Sequence, residues 1–285
     1  MAVQQRRPAA EQPPTEQLPA PAAVTFGRAL GRRAMGIGRL VVPFLVLALV
    51  WWGIKVAFDL PDNVLVSPTV VATTIWELVE RGILTDFIGL SLRRLGIATV
   101  ISLLIAVPIG IALGLNRHMA TAFEPFFRFF QAVSGIAWLP LAIVWNGFTD
   151  RTIVVIIIYT LAVPVIFNTM VGIKTVPQRY ADMCRSLGAG TFRVVRDVFL
   201  PGSLPSMLVG FRLGIGYGWR ALIAGEMLVA QGGMGDLIFQ ARTGNQTNRI
   251  MAGMIVIGTL YLVLDRLILQ PFEDATVAHW GVLRA

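Results

Sequence analysis

The stretch from Thr152 to Ile173, TIVVIIIYTLAVPVIFNTMVGI, followed over 174–203 by KTVPQRYADMCRSLGAGTFRVVRDVFLPGS, decides the fold. Its first part carries no charge and is long enough to cross the hydrocarbon core of a bilayer, which takes about 20 apolar residues. Its second part holds Lys174, Arg179, Arg185, Arg193 and Arg196 against Asp182 and Asp197. Short loops rich in Lys and Arg stay on the cytoplasmic side of a membrane. A crossing and its cytoplasmic exit are thus written in consecutive residues.

Working outward, five more runs read as spans. Residues 95–116 and 129–149 are also free of charge. The first span falls near 40–58, with Lys55 at its outer end, where a long stem can reach the headgroups. The fifth falls near 204–228 and carries Arg212, Arg220 and Glu226. The last falls near 250–269, with Asp265 and Arg266 at its inner end. The N-terminal residues hold Arg6, Arg7, Arg28, Arg32, Arg33 and Arg39 against Glu11 and Glu16. That bias keeps the N-terminus inside. Four crossings then bring 174–203 inside, as its own charge requires, and six return the C-terminus to the cytoplasm.

Composition agrees: 55% of the 285 residues are hydrophobic and 14% charged, too few for a soluble domain of this length. The expected class is all-α, a polytopic membrane protein. The net charge of +8 is spent on topology, and no aromatic-and-basic module for nucleic acid is present. A single cysteine, Cys184, excludes an internal disulfide and reads as a small packing group. Residues 1–35, rich in Pro, Ala, Gln and Arg, read as a disordered tail without the apolar core of a signal peptide. Residues 36–285 are the membrane domain.

Local signals place further elements. Ser67-Pro68 opens a helix through Trp76 and Glu80 on the outer surface, with Ser as cap and Pro in the first turn. Arg93 and Arg94 read as headgroup anchors for the second span. Pro108, Pro140 and Pro164 lie within spans and can kink them. In the loop, Val176-Pro177 ends the fourth span, and Gln178–Ser186 is helix-compatible. Gly188 stops that helix, and Thr191 caps a second one that ends at Leu200-Pro201. Pro205 opens the fifth span.

The loop spacing resembles the EAA loop of ABC-importer permeases: an acidic-small-small triplet (here Asp182, Met183, Cys184), three residues, Gly188, nine residues, then an apolar residue, any residue and Leu200-Pro201. The acid is kept as Asp182, whereas Met183 and Cys184 replace small residues. Ala137-Trp138-Leu139-Pro140-Leu141, Ser91-Leu92-Arg93-Arg94, Pro164 with Asn168, and Gly216 through Trp219 to Glu226 are similar to segments of the nitrate/sulfonate/taurine permeases. The likeness spans about 60–270. It implies a type I importer permease of the bacterial inner membrane, with six spans and no catalysis of its own. It also implies a coupling loop over 177–203, a permease homodimer in lipid, cytoplasmic ATPase subunits holding ATP and Mg, and an external binding protein. The implied solute is a small anion such as nitrate, a sulfonate or taurine. A self-contained secondary transporter or channel is the alternative, opposed by the absence of a visible repeat.

Pathway candidates are Trp138, Pro140, Asn168, Trp219, Arg220 and Glu226. Arg212, Trp219 and Glu226 recur every seven residues and share roughly one helix face. Arg212 and Glu226 lie near the ends of the fifth span and read as reaching the interfaces. Arg220 lies nearer the middle and needs a partner or water; it would suit an anionic solute. Gly210, Gly214 and Gly218 form a smooth ridge for close packing, within the subunit or between subunits. His118 and His279 are isolated, and no metal-ligand or catalytic set is present.

Overall fold

A computed structural model of the chain describes residues 42–229 and 232–273. The proposed tail at 1–35, and His279, lie outside these residues. Every regular element among them is helical. Helix α1 (Val42–Ala57) is apolar but short, and belongs to a unit distinct from the one beginning at Phe58. The second unit contains α2 (Pro68–Glu80), α3 (Ile83–Leu115), α4 (Arg117–Ala132), a 3-10 turn (Gly135–Trp138), α5 (Leu139–Asn146) and α6 (Asp150–Thr175). It continues with α7 (Gln178–Ser186), α8 (Thr191–Val229), α9 (Met234–Thr243) and α10 (Thr247–Glu273). Helices α3, α6, α8 and α10 are long and apolar enough to cross a membrane, and α4 with α5 forms a bent pair.

Local chemistry sets several of these boundaries. Ser67 is extended and Pro68 takes the first turn of α2. The Asn116 side chain accepts from the amides of His118 and Met119, capping α4. Val176 turns extended before Pro177, closing α6.

Three expectations are corrected. The run 129–149 is not one straight span: α4 meets the segment Gly135–Asn146 at 85°. The bend falls where Ser134 is extended and Gly135 presses so closely on Thr160 that a Cβ there would overlap the Thr160 hydroxyl. Next, α3 begins at Ile83 rather than Leu95. With 33 residues it is about 50 Å long and overreaches a ~30 Å core. Last, Leu200-Pro201 does not end a helix. Helix α8 runs through both it and Pro205, because a π-turn at Val195–Phe199 widens the backbone where Pro201 lacks an amide to donate.

Helix α6 lies at the centre, between α3 and α8. Ile153, Ile157 and Leu161 are wholly enclosed, packed with Leu95, Leu139, Trp219 and Leu222 at one level and with Leu113, Val165 and Ile215 at the next. Lipid is as apolar as these side chains, so helix association rests on close packing rather than on burial from water. The glycine ridge supplies it within the protomer. A Cβ on Gly210 would come 3.0 Å from the Pro164 carbonyl oxygen, and one on Gly214 3.0 Å from that of Leu161.

Candidate functional site

The loop over 174–203 folds as a short helix on an elbow. Ala181 is wholly buried against Ile173, Val194 and Phe199, and half-buried Cys184 packs on the same cluster. Leu200 and Pro201 sit half-buried in α8 and belong to the elbow. The Asp182 carboxylate accepts from Arg185 at 3.0 Å, and the Ser186 hydroxyl bonds back to the Met183 carbonyl at 2.9 Å. Gly188 has φ +82°, a left-handed conformation that reverses the chain after Leu187. Tyr180, Met183 and Leu187 lie on the outward face, and Leu187 and Phe192 are 88% and 80% exposed. Spacings of three and four residues put Tyr180, Met183 and Leu187 on one stripe, a signal the triplet reading passed over.

A cavity of about 330 Å³ opens at the bend between α4 and α5. Phe130, Ser134, Gly135, Tyr159, Thr160, Tyr217 and Arg220 line it. The Tyr159 hydroxyl donates to the Phe130 carbonyl at 2.7 Å, pinning the last turn of α4 to α6. The Arg220 guanidinium lies 5.8 Å from the Tyr217 ring centroid and, among the described residues, has no carboxylate at ion-pair distance. Of the six pathway candidates Arg220 alone lines this cavity.

The other five are placed around it. Trp138 is stacked on Phe130, with centroids 5.8 Å apart, and lies 5.9 Å from Tyr159, so it backs the cavity wall. Pro140 is exposed at the start of α5. The Asn168 amide donates to the Pro164 carbonyl at 2.8 Å, and its Cβ faces Gly210. Trp219 is buried against Tyr261. Glu226 is fully buried.

Glu226 leads to residues that sequence reasoning missed. Arg94, 2% exposed, donates to Glu226 at 2.8 Å, to Asp150 at 2.7 Å and to the Gly232 carbonyl at 2.7 Å. Ser91 donates to the same Glu226 carboxylate at 2.8 Å and accepts from the Met234 amide at 3.0 Å. The Gly235 amide supplies a further donor to Glu226 at 3.0 Å. A buried charge needs a partner and satisfied hydrogen bonds, and this knot provides both. The headgroup-anchor reading therefore fails for Arg94, and the interfacial reading fails for Glu226. Arg93 stays exposed, 3.4 Å from Asp150. Arg212 likewise does not simply reach the interface: it forks onto Asp265 at 2.9 and 3.0 Å and contacts Glu273 at 2.6 Å.

Residues 106–269 match the family described as binding-protein-dependent transport system inner membrane component. The chain is 30% identical over 236 residues to the taurine transport system permease protein TauC of Escherichia coli K12, covering 81% of this chain and 84% of that one. It is 31% identical over 191 residues to the bicarbonate transport system permease protein CmpB of Synechococcus elongatus, covering 67% and 68%. In fold it is similar to a chain of the MetNI methionine ABC transporter in an inward facing conformation, with TM-score 0.58 at 17% identity, over 69% of this chain and 97% of that one. A self-contained secondary transporter is set aside by this kinship, and the chain belongs to the binding-protein-dependent transport system inner membrane components, the non-catalytic permease subunits of ABC importers.

Proposed function

We propose that this permease carries a small anion, of the nitrate, sulfonate or taurine kind, past Arg220. The observation that supports this is a charge balance. Arg94 and Arg212 are each met by two carboxylates, whereas Arg220, facing the cavity at the bend, is met by none among the described residues. A cation in a membrane protein faces protein, water or cargo. Arg220 has a cavity in front of it, lined by Phe130, Tyr159 and Tyr217 and by Ser134 and Thr160. Fixed positive charge there raises the local concentration of an anion. The relatives named for taurine and bicarbonate transport carry anionic groups in their cargo.

In this reading α1, α3, the bent α4–α5 pair, α6, α8 and α10 make six crossings, with both termini cytoplasmic. Two copies of the permease enclose the pathway, and an external binding protein delivers the solute. The outward stripe of α7 (Tyr180, Met183 and Leu187), with Phe192 and the triplet Asp182, Met183 and Cys184, seats in a cytoplasmic ATPase that holds ATP and Mg. Buried Ala181 ties α7 to the ends of α6 and α8, so a push on the stripe reaches both spans. ATP and the loaded binding protein drive the cycle only by binding one permease state more tightly than the other.

Uptake by the full permease with its ATPase and binding protein tests the solute reading. Arg220→Gln is expected to cut anion uptake by tenfold or more, as removal of a direct charge contact of about 1.5–3 kcal/mol would, while Arg220→Lys retains part of it. Unchanged uptake and solute range in Arg220→Gln overturns the reading.

A further inference from the structure

A second cavity, of about 550 Å³, lies between α7 and the junction of α3 with α4. Its lining contains Arg117, Lys174 and Arg185, with Thr121, Gln178 and Thr191, and no acidic residue. Two of the cations have counter-charges outside the lining: Lys174 is 3.9 Å from Glu124, and Arg185 is 3.0 Å from Asp182. Arg117 makes no ion pair with the described residues. We propose that this cavity binds a phosphate group, that of an anionic phospholipid in the cytoplasmic leaflet.

Depth argues for a lipid source. Leu115 ends α3, and Lys174 lies in the last turn of α6, so the cavity sits where two spans leave the hydrocarbon and headgroups begin. The apolar wall of Ile173, Val194 and Phe199 suits the glycerol end of a lipid better than a freely hydrated ion. Anionic lipids enrich this leaflet's surface, and nearby basic residues draw them. The cytoplasmic placement rests on the topology proposed above.

Occupancy is compatible with docking on the ATPase. At about 100° per residue, Gln178 and Arg185 share one face of α7. Tyr180, Met183 and Leu187 lie on the opposite side, and Ala181 and Cys184 point between them into the core. A phosphate on Arg185 thus leaves the outward stripe free while tying α7 to the start of α4. The lipid becomes a third anchor for the helix that the ATPase pushes.

The test is lipid retention by the full chain in detergent, followed by native mass spectrometry. The probes are phosphatidylglycerol, phosphatidylcholine and inorganic phosphate. Phosphatidylglycerol is expected to bind in preference to phosphatidylcholine, and Arg117→Gln with Lys174→Gln to weaken it about 25-fold, about fivefold per basic residue. Arg117→Lys retains binding and excludes misfolding as the cause, and Arg81→Gln, on the outer face, leaves it unchanged. Displacement of the lipid by millimolar inorganic phosphate identifies free phosphate as a source for the same site. Equal retention of all probes by wild type and the double variant, or no retention, overturns the proposal. The coupling reading is tested separately: Gly188→Trp is expected to abolish ATPase stimulation and leave lipid retention intact, and ATPase activity indifferent to it overturns that reading alone.

Discussion

Two arginines of this permease, Arg94 and Arg220, occupy opposite situations. Arg94 is shut in, with two carboxylates, a serine-bridged network and a carbonyl consuming its donors. Arg220 is exposed in a cavity, with an aromatic ring beside it and no carboxylate at ion-pair distance among the described residues. On the proposed reading the same residue type performs two tasks: a neutralised charge joins elements distant in sequence, while an unneutralised one stays available to a solute. Counting partners, rather than counting charges, separates architecture from function.

The largest expected effect breaks the closed member of this pair. Arg94→Leu leaves Glu226 buried and unpaired, which costs about 3–5 kcal/mol. Chemical denaturation of the purified permease is expected to show that loss, or no folded protein at all. The double variant Arg94→Leu with Glu226→Leu is expected to recover part of it, since removing both charges leaves none stranded.

Next comes the packing that holds α8 in place and so aims Arg220. Gly210→Leu drives a side chain into Asn168 and the Pro164 carbonyl and is expected to cost about 1–3 kcal/mol, read by the same denaturation. If Gly210→Leu instead left stability intact and abolished dimer formation, the ridge would serve the subunit contact after all. A smaller change is expected at Leu187, 88% exposed. Leu187→Ala leaves the permease fold unchanged but weakens ATPase assembly by about 1–2 kcal/mol, the scale of a contact near the edge of a hot spot, measurable by pull-down titration.

The contrast between Arg94 and Arg220 also shows what was legible beforehand. The charge-free run of α6 and the Ser67-Pro68 start of α2 were readable because bilayer thickness and the fixed φ of a first-turn proline act locally, although the Ser67 side chain makes no capping bond. The bend at Ser134-Gly135 was not, since it depends on Thr160, which lies on another helix. Arg94 looked interfacial because its partner Glu226 stands 132 residues away, and no local pattern joins them. Helix α9 went unread because it is only ten residues long, although Met234, Leu237 and Ala241 recur at helical spacing and are buried. In the loop over 177–203, the triplet located the helix, whereas the exposed apolar stripe emerged only once Ala181 was seen to face inward. Arg220 was singled out from sequence by its depth in the span; its lack of a carboxylate partner needed the fold.

The smallest expected effect on stability falls on Arg220, and there the central claim is decided. Arg220→Gln is expected to leave denaturation within about 0.5 kcal/mol of wild type, as surface changes usually do. Solute-stimulated uptake by the same preparation, reconstituted in liposomes with its ATPase and binding protein and offered nitrate, taurine and aliphatic sulfonates, is the measurement to make. The account predicts uptake of one such anion, reduced at least tenfold by Arg220→Gln with stability preserved. Uptake that is indifferent to Arg220, or lost only in step with stability, would make Arg220 another structural arginine and contradict it.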